Sequence, residues 1–266
     1  MPGAAGLLLD AADPSEALAR AGSHLVLGRQ PIFTVAGEIH GYELLYRTGQ
    51  GHACAVNHWQ WQDQDQATLT VLEAAFSSCG VRAVAADALV FVNFTRSFLT
   101  AELPIPPVPS RLVVEVVESV RADAAVVEGI EDLRAAGFRI ALDDFAGLDD
   151  QLALLPWADY VKIDLRDLDR CGARLVDIAA GHGATLVAER VETQAQLEEC
   201  EALGFSLFQG NHLRAAEVLR RTTVPGTPWP TAEDIATAHR LGTPTVFASG
   251  SVAGRPLNAL PVPRTA

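Results

Sequence analysis

The chain has 266 residues, about half of them apolar (49%), and a formal charge of −13, so it can bury a substantial core. No lysine or arginine run is long enough to follow a phosphate backbone, which excludes general nucleic-acid binding. No apolar run reaches the ~20 residues that span a bilayer, and the start MPGAAGLLLDAADPSEALAR carries acids where a secretory signal carries basic residues; the expectation is a cytoplasmic protein with no membrane partner.

In chain order, residues 1–23 are Ala- and Gly-rich without periodicity and are expected to form a disordered tail. A barrel-type domain is expected over residues 24–221. Its first strands, LVLGRQPIF and IHGYELLYR, are joined by a turn too short for a helix, which predicts an antiparallel pair. His52, Cys54 and His58 follow in a segment matching no metal spacing, read as a loop. Then apolar runs alternate with helical patterns: helix DQATLTVLEAAFSS, strands ALVFVNF and RLVVEVV, helix ADAAVVEGIEDLRAAG, strands FRIALDDF and DYVKID, helix ARLVDIAAGHG, strand ATLVAERV, helix TQAQLEECEALG and strand FSLFQG. A helix-Gly-strand joint occurs twice, in LRAAGFRI and LEECEALGFSL. Residues 222–266, rich in Pro, Gly and Thr, are expected to be a largely disordered tail with one short helix at TAEDIATAHRLG. Cys54, Cys79, Cys171 and Cys200 contain no C-x-x-C pair and read as reduced, mostly buried thiols.

Strands alternating with helices predict an α/β fold: a TIM-type (β/α)8-like barrel with an antiparallel first strand, or else an open doubly wound sheet. The second lacks its G-x-G-x-x-G turn. In a parallel barrel the strand C-termini converge on one face, and Glu43, Asn93, Glu115, Asp143, Asp144, Lys162, Glu189 and Gln209 all lie late in a strand or just after it. Taken singly, Asp143 or Asp144 reads as a helix cap, Lys162 as a snorkelling surface lysine and Asn93 as a turn residue. Taken together, five acids at one end of different strands repel unless cations or protons neutralise them. Oxygen ligands without histidine or thiolate favour Mg²⁺ or Mn²⁺ over zinc, and an adjacent Asp pair can bridge two ions ~3.5 to 4 Å apart for phosphoester hydrolysis.

The same residues carry a family resemblance. GRQPIF, YELLYR, VNF, EVVES, LDDF, VKID, AERVET and FQG, in colinear order from about Leu25 to Arg214, resemble the motifs of the EAL-domain phosphodiesterases that hydrolyse cyclic di-GMP. YELLYR and AERVET are most similar to the EAL part of EAL-HDOD proteins, without room for the HDOD domain. The resemblance implies an EAL barrel that opens cyclic di-GMP to linear pGpG in bacterial second-messenger signalling. It implies Glu43, Asn93, Glu115 and Asp143 as metal ligands, with Asp144 and Glu189 serving a second Mg²⁺ or Mn²⁺ ion or the attacking water. Lys162 would hold that water and the developing charge, so Lys162, Glu189 and Asp144 are the catalytic set. Gln30, Arg47, Glu192 and Gln209 would contact the substrate, and Glu118 would anchor the loop after the Asp pair. A homodimer or a regulatory protein partner is a further implication.

The chain departs from the family pattern at Leu44 in place of Ala, at AGLDDQLALL in place of G-T-G-Y-S-S, at Arg190 in place of Gly, and at NHLRAA in place of Y-x-F-S-R-P. These keep a second reading open: a weak or inactive EAL domain acting as a cyclic di-GMP receptor or protein-interaction module.

Overall fold

A computed structural model describes residues 24–47, 61–76 and 80–222. All lie in the first of two compact units, Met1–Trp229; the second, Pro230–Ala266, falls wholly outside them. So do the N-terminal tail, His52, Cys54, His58, Cys79 and the TAEDIATAHRLG segment.

Strand β1 (His24–Thr34) reverses into β2 (Ile39–Tyr46) through a turn closed by Thr34 N donating to Glu38 O at 2.8 Å and Gly37 N to Thr34 O at 2.9 Å. Gly37 has φ 76°, a conformation that favours glycine. Helix α1 (Trp61–Phe76) and the short α2 (Arg82–Ala85) lead to β3 (Leu89–Phe94), α3 (Arg96–Leu99) and β4 (Leu112–Val116). Next come α4 (Ala124–Ala135), β5 (Arg139–Leu142), α5 (Asp149–Leu154) with a 3-10 turn at Leu155–Trp157, and β6 (Tyr160–Asp164). The domain finishes with α6 (Leu165–Cys171), α7 (Arg174–Gly181), β7 (Thr185–Glu189), α8 (Gln194–Leu203), β8 (Leu207–Phe208) and β9 (Glu217–Thr222).

Strands β2 to β8 are parallel neighbours in chain order, and β1 closes the barrel by pairing antiparallel with β2 on one side and with β8 at Phe33 and Thr34 on the other. The open-sheet alternative is thereby ruled out. The eighth strand is so short that it covers only the end of β1, and β9, which pattern reading missed, pairs with the remainder from His24 to Arg29. EVLRRT is short and rich in charge, so it carries no strand signal of its own and is held by backbone pairing to an exposed sheet edge. Helices α5 and α6 were also missed. Asp164 makes α6 possible, its carboxylate accepting from Arg166 N at 2.8 Å as an N-cap. The two helix-Gly-strand joints form as expected: Gly137 and Gly204 are left-handed at φ 90° and 99°, and Phe138 N and Phe205 N bond back to Leu133 O and Cys200 O at 3.0 Å.

The barrel interior is an apolar cluster of Ile32, Phe91, Val113, Ala141, Tyr160, Val187 and Leu207, one residue from each of β1 and β3 to β8. At the corresponding place on β2 stands Gly41, where an added Cβ would come within 2.8 Å of the Phe91 ring. Among the described cysteines Cys200 is buried, Cys171 is exposed, and both are free thiols; the expectation of burial fails at Cys171, which ends α6 on its solvent side. Among the described residues no helix is long and apolar enough to cross a membrane.

Candidate active site

Side chains alternate across a strand, so residues two apart share a face. Two residues beyond the apolar cluster, toward the C-terminal ends of the parallel strands, stand Asn93, Glu115, Asp143, Lys162, Glu189 and Gln209, joined by Glu43 two residues past Gly41. Strand β1 runs the other way, so its member of this second layer precedes Ile32 and is Gln30. The polar layer therefore roofs the hydrophobic one.

Lys162 is not the exposed lysine it resembles in isolation: it is fully buried. Its Nζ lies 2.9 Å from Asp143 Oδ1, 2.9 Å from Glu189 Oε1 and 3.4 Å from Glu43 Oε2, and contacts Glu115 Oε1. Burial alone would lower the ammonium, but Asp143, Glu115, Glu189 and Glu43 together hold it well above the ordinary lysine range. Gln209 Nε2 donates to Glu43 Oε2 at 2.5 Å and to Gln30 Oε1 at 3.2 Å, which ties β8, β2 and β1 together at the mouth.

Four acids cannot be balanced by one ammonium. Burial, then the charges of Asp143 and Glu43, push Glu189 up to about 8 despite the opposing pull of Lys162. Burial, followed by Asp143 and Glu118, pushes Asp144 up to about 7. Glu115, wholly buried, is also held well above the usual carboxylate range, by burial first and by Asp143 and Glu43 after Lys162 has drawn it down.

Strand β5 stops at Leu142, and the Asp pair lies beyond its ladder rather than within the strand that FRIALDDF predicts. Asp144 adopts φ 43°, a left-handed conformation that Asp tolerates better than most residues. The turn is fastened from AGLDDQLALL. Buried Gln151 donates from Nε2 to Asp144 O at 2.9 Å, while its Oε1 accepts from Ala146 N at 2.9 Å and Leu148 N at 3.2 Å. Asp150 Oδ1 accepts from Ala122 N at 2.9 Å, fixing the segment that follows Glu118. Ligand oxygens of Glu118, Asp143 and Asp144 lie within 4.8 Å of one another. Gln151 was not singled out from sequence, because a glutamine in a polar loop has no signature before the loop's path is known.

Asn93 neighbours Glu115 in the β3–β4 register. Its backbone carbonyl accepts from Thr68 Oγ1 of α1 at 2.8 Å, and α1 also contributes buried Asp65, which accepts from Ser97 Oγ at 2.8 Å and from Thr95 Oγ1. Arg47 and Glu118 share with Asn93 the lining of a cavity of about 60 Å³ between α1 and the ends of β2 to β4. Leu44 is on its wall with Ala67 and Val71, on the opposite face of β2 from Glu43. Its bulk thus faces α1 and leaves the carboxylates unobstructed. Glu192 is not brought into this group: its side chain is exposed, and its backbone N donates to Gln196 Oε1 at 2.8 Å at the start of α8.

A divalent cation fits the residues present. Asn93 Oδ1 and Glu115 Oε2 are buried oxygens with no hydrogen-bond partner, which is costly unless something electropositive meets them. All donors are hard oxygens, the set that suits Mg²⁺, Mn²⁺ or Ca²⁺. Glu43, Asn93, Glu115 and Asp143 could hold a divalent ion, and the oxygens of Glu118, Asp143 and Asp144 lie close enough together to do so as well.

Comparison with known proteins agrees with this architecture. The EAL domain family model matches residues 13–216, and the chain belongs to that family. It is 31% identical over 201 residues to the cyclic di-GMP phosphodiesterase CdgJ of Vibrio cholerae, covering 74% of this chain and 46% of that protein. It is 32% identical over 190 residues to the uncharacterized protein YuxH of Bacillus subtilis, covering 69% of this chain and 45% of YuxH. The chain thus spans about half the length of the curated relatives it matches. Among solved structures, the Bacillus subtilis YkuI protein, in complex with cyclic di-GMP and calcium, superposes with a TM-score of 0.58 at 19% identity, over 86% of this chain and 62% of that one. Klebsiella pneumoniae BlrP1, in a calcium and cyclic di-GMP complex, gives 0.58 at 22% identity, over 75% and 59%. These two likenesses establish the fold.

Proposed function

We propose that this chain hydrolyses cyclic di-GMP to linear pGpG with two Mg²⁺ or Mn²⁺ ions at the barrel mouth. The observation that carries the reading is the polar layer itself: acids, amides and a lysine from the C-terminal ends of β2 to β8 or the residue just beyond, with Gln30 of β1, gather at one mouth, with buried oxygens left unpaired. CdgJ is named for this reaction, and YkuI and BlrP1 hold cyclic di-GMP beside divalent calcium.

Bound at these acids, divalent cations supply Lewis acidity and lower the pKa of bound water. The Glu189 carboxyl, pushed up to about 8 by burial, holds a proton at neutral pH in the metal-free chain; cation binding at these acids would favour its carboxylate, the form able to take a proton from a water. That water's oxygen forms a bond to phosphorus, the bond from phosphorus to the ribose 3′ oxygen breaks, and a proton returns to that oxygen. Lys162 supplies positive charge where negative charge accumulates on the phosphate. Gln209 bonds to both Gln30 and Glu43, which fixes the two amides relative to each other beside the ligand.

The replaced loop after Asp144 does not argue for loss of activity, since Gln151 and Asp150 tie it to both the Asp pair and the Glu118 segment. The test is incubation of the purified chain with cyclic di-GMP and Mg²⁺ or Mn²⁺, separating products by chromatography. Formation of pGpG that Glu43→Ala abolishes is expected. Binding in Ca²⁺ with no turnover in Mn²⁺ would make the protein a receptor instead.

A further inference from the structure

We propose that Arg166 and Arg190 form a phosphate-binding subsite on the Glu189 side of the mouth, taking oxygens of the cyclic dinucleotide's second phosphodiester, the one not being cut. The inference rests on the reading above.

Two guanidiniums converge on one buried carboxylate. Asp164, 1% exposed, meets Arg166 Nη2 at 2.5 Å and Nε at 3.1 Å, and Arg190 Nε at 2.6 Å. Asp164 neighbours Glu189 in the β6–β7 register, and its charge is felt at Asp144, so the cluster belongs to the rim of the same mouth. One carboxylate needs one counter-cation. The second guanidinium adds positive charge at this spot, offset in part by Asp144 and Asp167 near Arg166, within an otherwise acidic opening where a phosphodiester needs a cationic partner. Both arginine side chains remain largely exposed, at 70% and 60%. Arg190 engages Asp164 through its inner nitrogen, which keeps the two terminal nitrogens available to a fork-shaped partner such as a phosphate.

The backbone points the same way. Arg190 sits at φ 59°, where an L side chain is strained and the family pattern has Gly. Asp164 works as a rigid mount, since its burial and its cap of α6 fix it independently of either arginine's exposed end.

The test is calorimetric titration of cyclic di-GMP into the full chain in Ca²⁺, alongside thermal melts. Arg190→Gly removes the guanidinium and relieves the strained φ. Its affinity for cyclic di-GMP is expected to fall roughly tenfold or more, while its melting midpoint holds or rises and its affinity for Ca²⁺ alone is not weakened. Arg190→Asn, which also tolerates the left-handed conformation, should show the same split, Arg166→Ala should weaken nucleotide binding, and Arg190→Lys should retain part of it. Wild-type binding matched within about twofold by Arg190→Gly and Arg166→Ala would overturn the subsite alone. Absence of wild-type binding would overturn both the subsite and the reading beneath it.

Discussion

Glu43 Oε2 and Lys162 Nζ approach to 3.4 Å from β2 and β6, four strands apart around the barrel. An ammonium that reaches acids on β2, β4 and β7 and the Asp just after β5 stands close to the barrel axis, so Lys162 pairs with all four of them at once. Divalent ions binding the same oxygens must share them with it.

Replacing Lys162 with Met should therefore affect stability before it affects chemistry. Removing one partner of a buried ion cluster costs about 3 to 5 kcal/mol because the remaining charge stays uncompensated. In EDTA, Lys162→Met should lose stability on that scale in a denaturant titration, and saturating Mn²⁺ should restore much of the difference. An equal loss with and without Mn²⁺ would show that cations do not reach these oxygens.

The raised carboxyls give a pH dependence of defined sign. Glu189 stands at about 8 and Asp144 at about 7 in the folded chain, against ordinary values of 4.5 and 3.8. Between each pair of values the folded state holds a proton that the unfolded state has released, so these groups make metal-free stability fall as pH rises. The denaturation midpoint in EDTA should drop from pH 6 to pH 9. Cation binding requires the deprotonated acids, so Mn²⁺ affinity should rise over the same interval and proton release should accompany binding. A midpoint that climbs with pH, or Mn²⁺ binding without proton release, would contradict the arrangement.

Much of this was legible in sequence because the signals are local and periodic. The acids at strand ends could be found by counting two residues past each apolar run, and the hairpin turn announced the reversed first strand. Besides helices α5 and α6, three things were not legible. The β9 segment EVLRRT is defined by the part of β1 that β8 leaves bare. Gln151 matters through bonds to backbone at Asp144, which no pattern encodes. Asp164 was not singled out because its partners lie outside its own strand: one arginine lies in α6 and the other just after β7. Glu192, given a substrate role by its place in AERVET, has an exposed side chain outside the buried polar layer.

Gln151→Ala isolates what the divergent loop does. The substitution leaves Asp144 O, Ala146 N and Leu148 N without their side-chain partner. Losing a residue that orients metal ligands typically costs 10- to 100-fold in affinity or activity. Gln151→Ala should weaken Mn²⁺ binding within about that range while far-UV circular dichroism stays unchanged. Unaltered Mn²⁺ affinity would mean that the Asp pair holds its turn without the loop.

Gly210, next to Gln209, sets how closely β8 and its exit pass the loop after β7. A Cβ there would lie 2.1 Å from Val191 O and 2.3 Å from Val191 N, both backbone atoms with no freedom to swing aside. Val191 and Gln209 are joined by a backbone bond from Val191 N to Gln209 O at 3.1 Å, so the clash falls on the strand end that presents Gln209 to Glu43. Overpacking of this kind costs about 1 to 3 kcal/mol. Gly210→Ala should lower the melting temperature and, through displaced Gln209, reduce nucleotide binding. Gln209→Ala should reduce binding with a smaller loss of stability, because it removes the amide and leaves the backbone approach intact. Equal melting temperatures for wild type and Gly210→Ala would show that the chain exit can shift without strain.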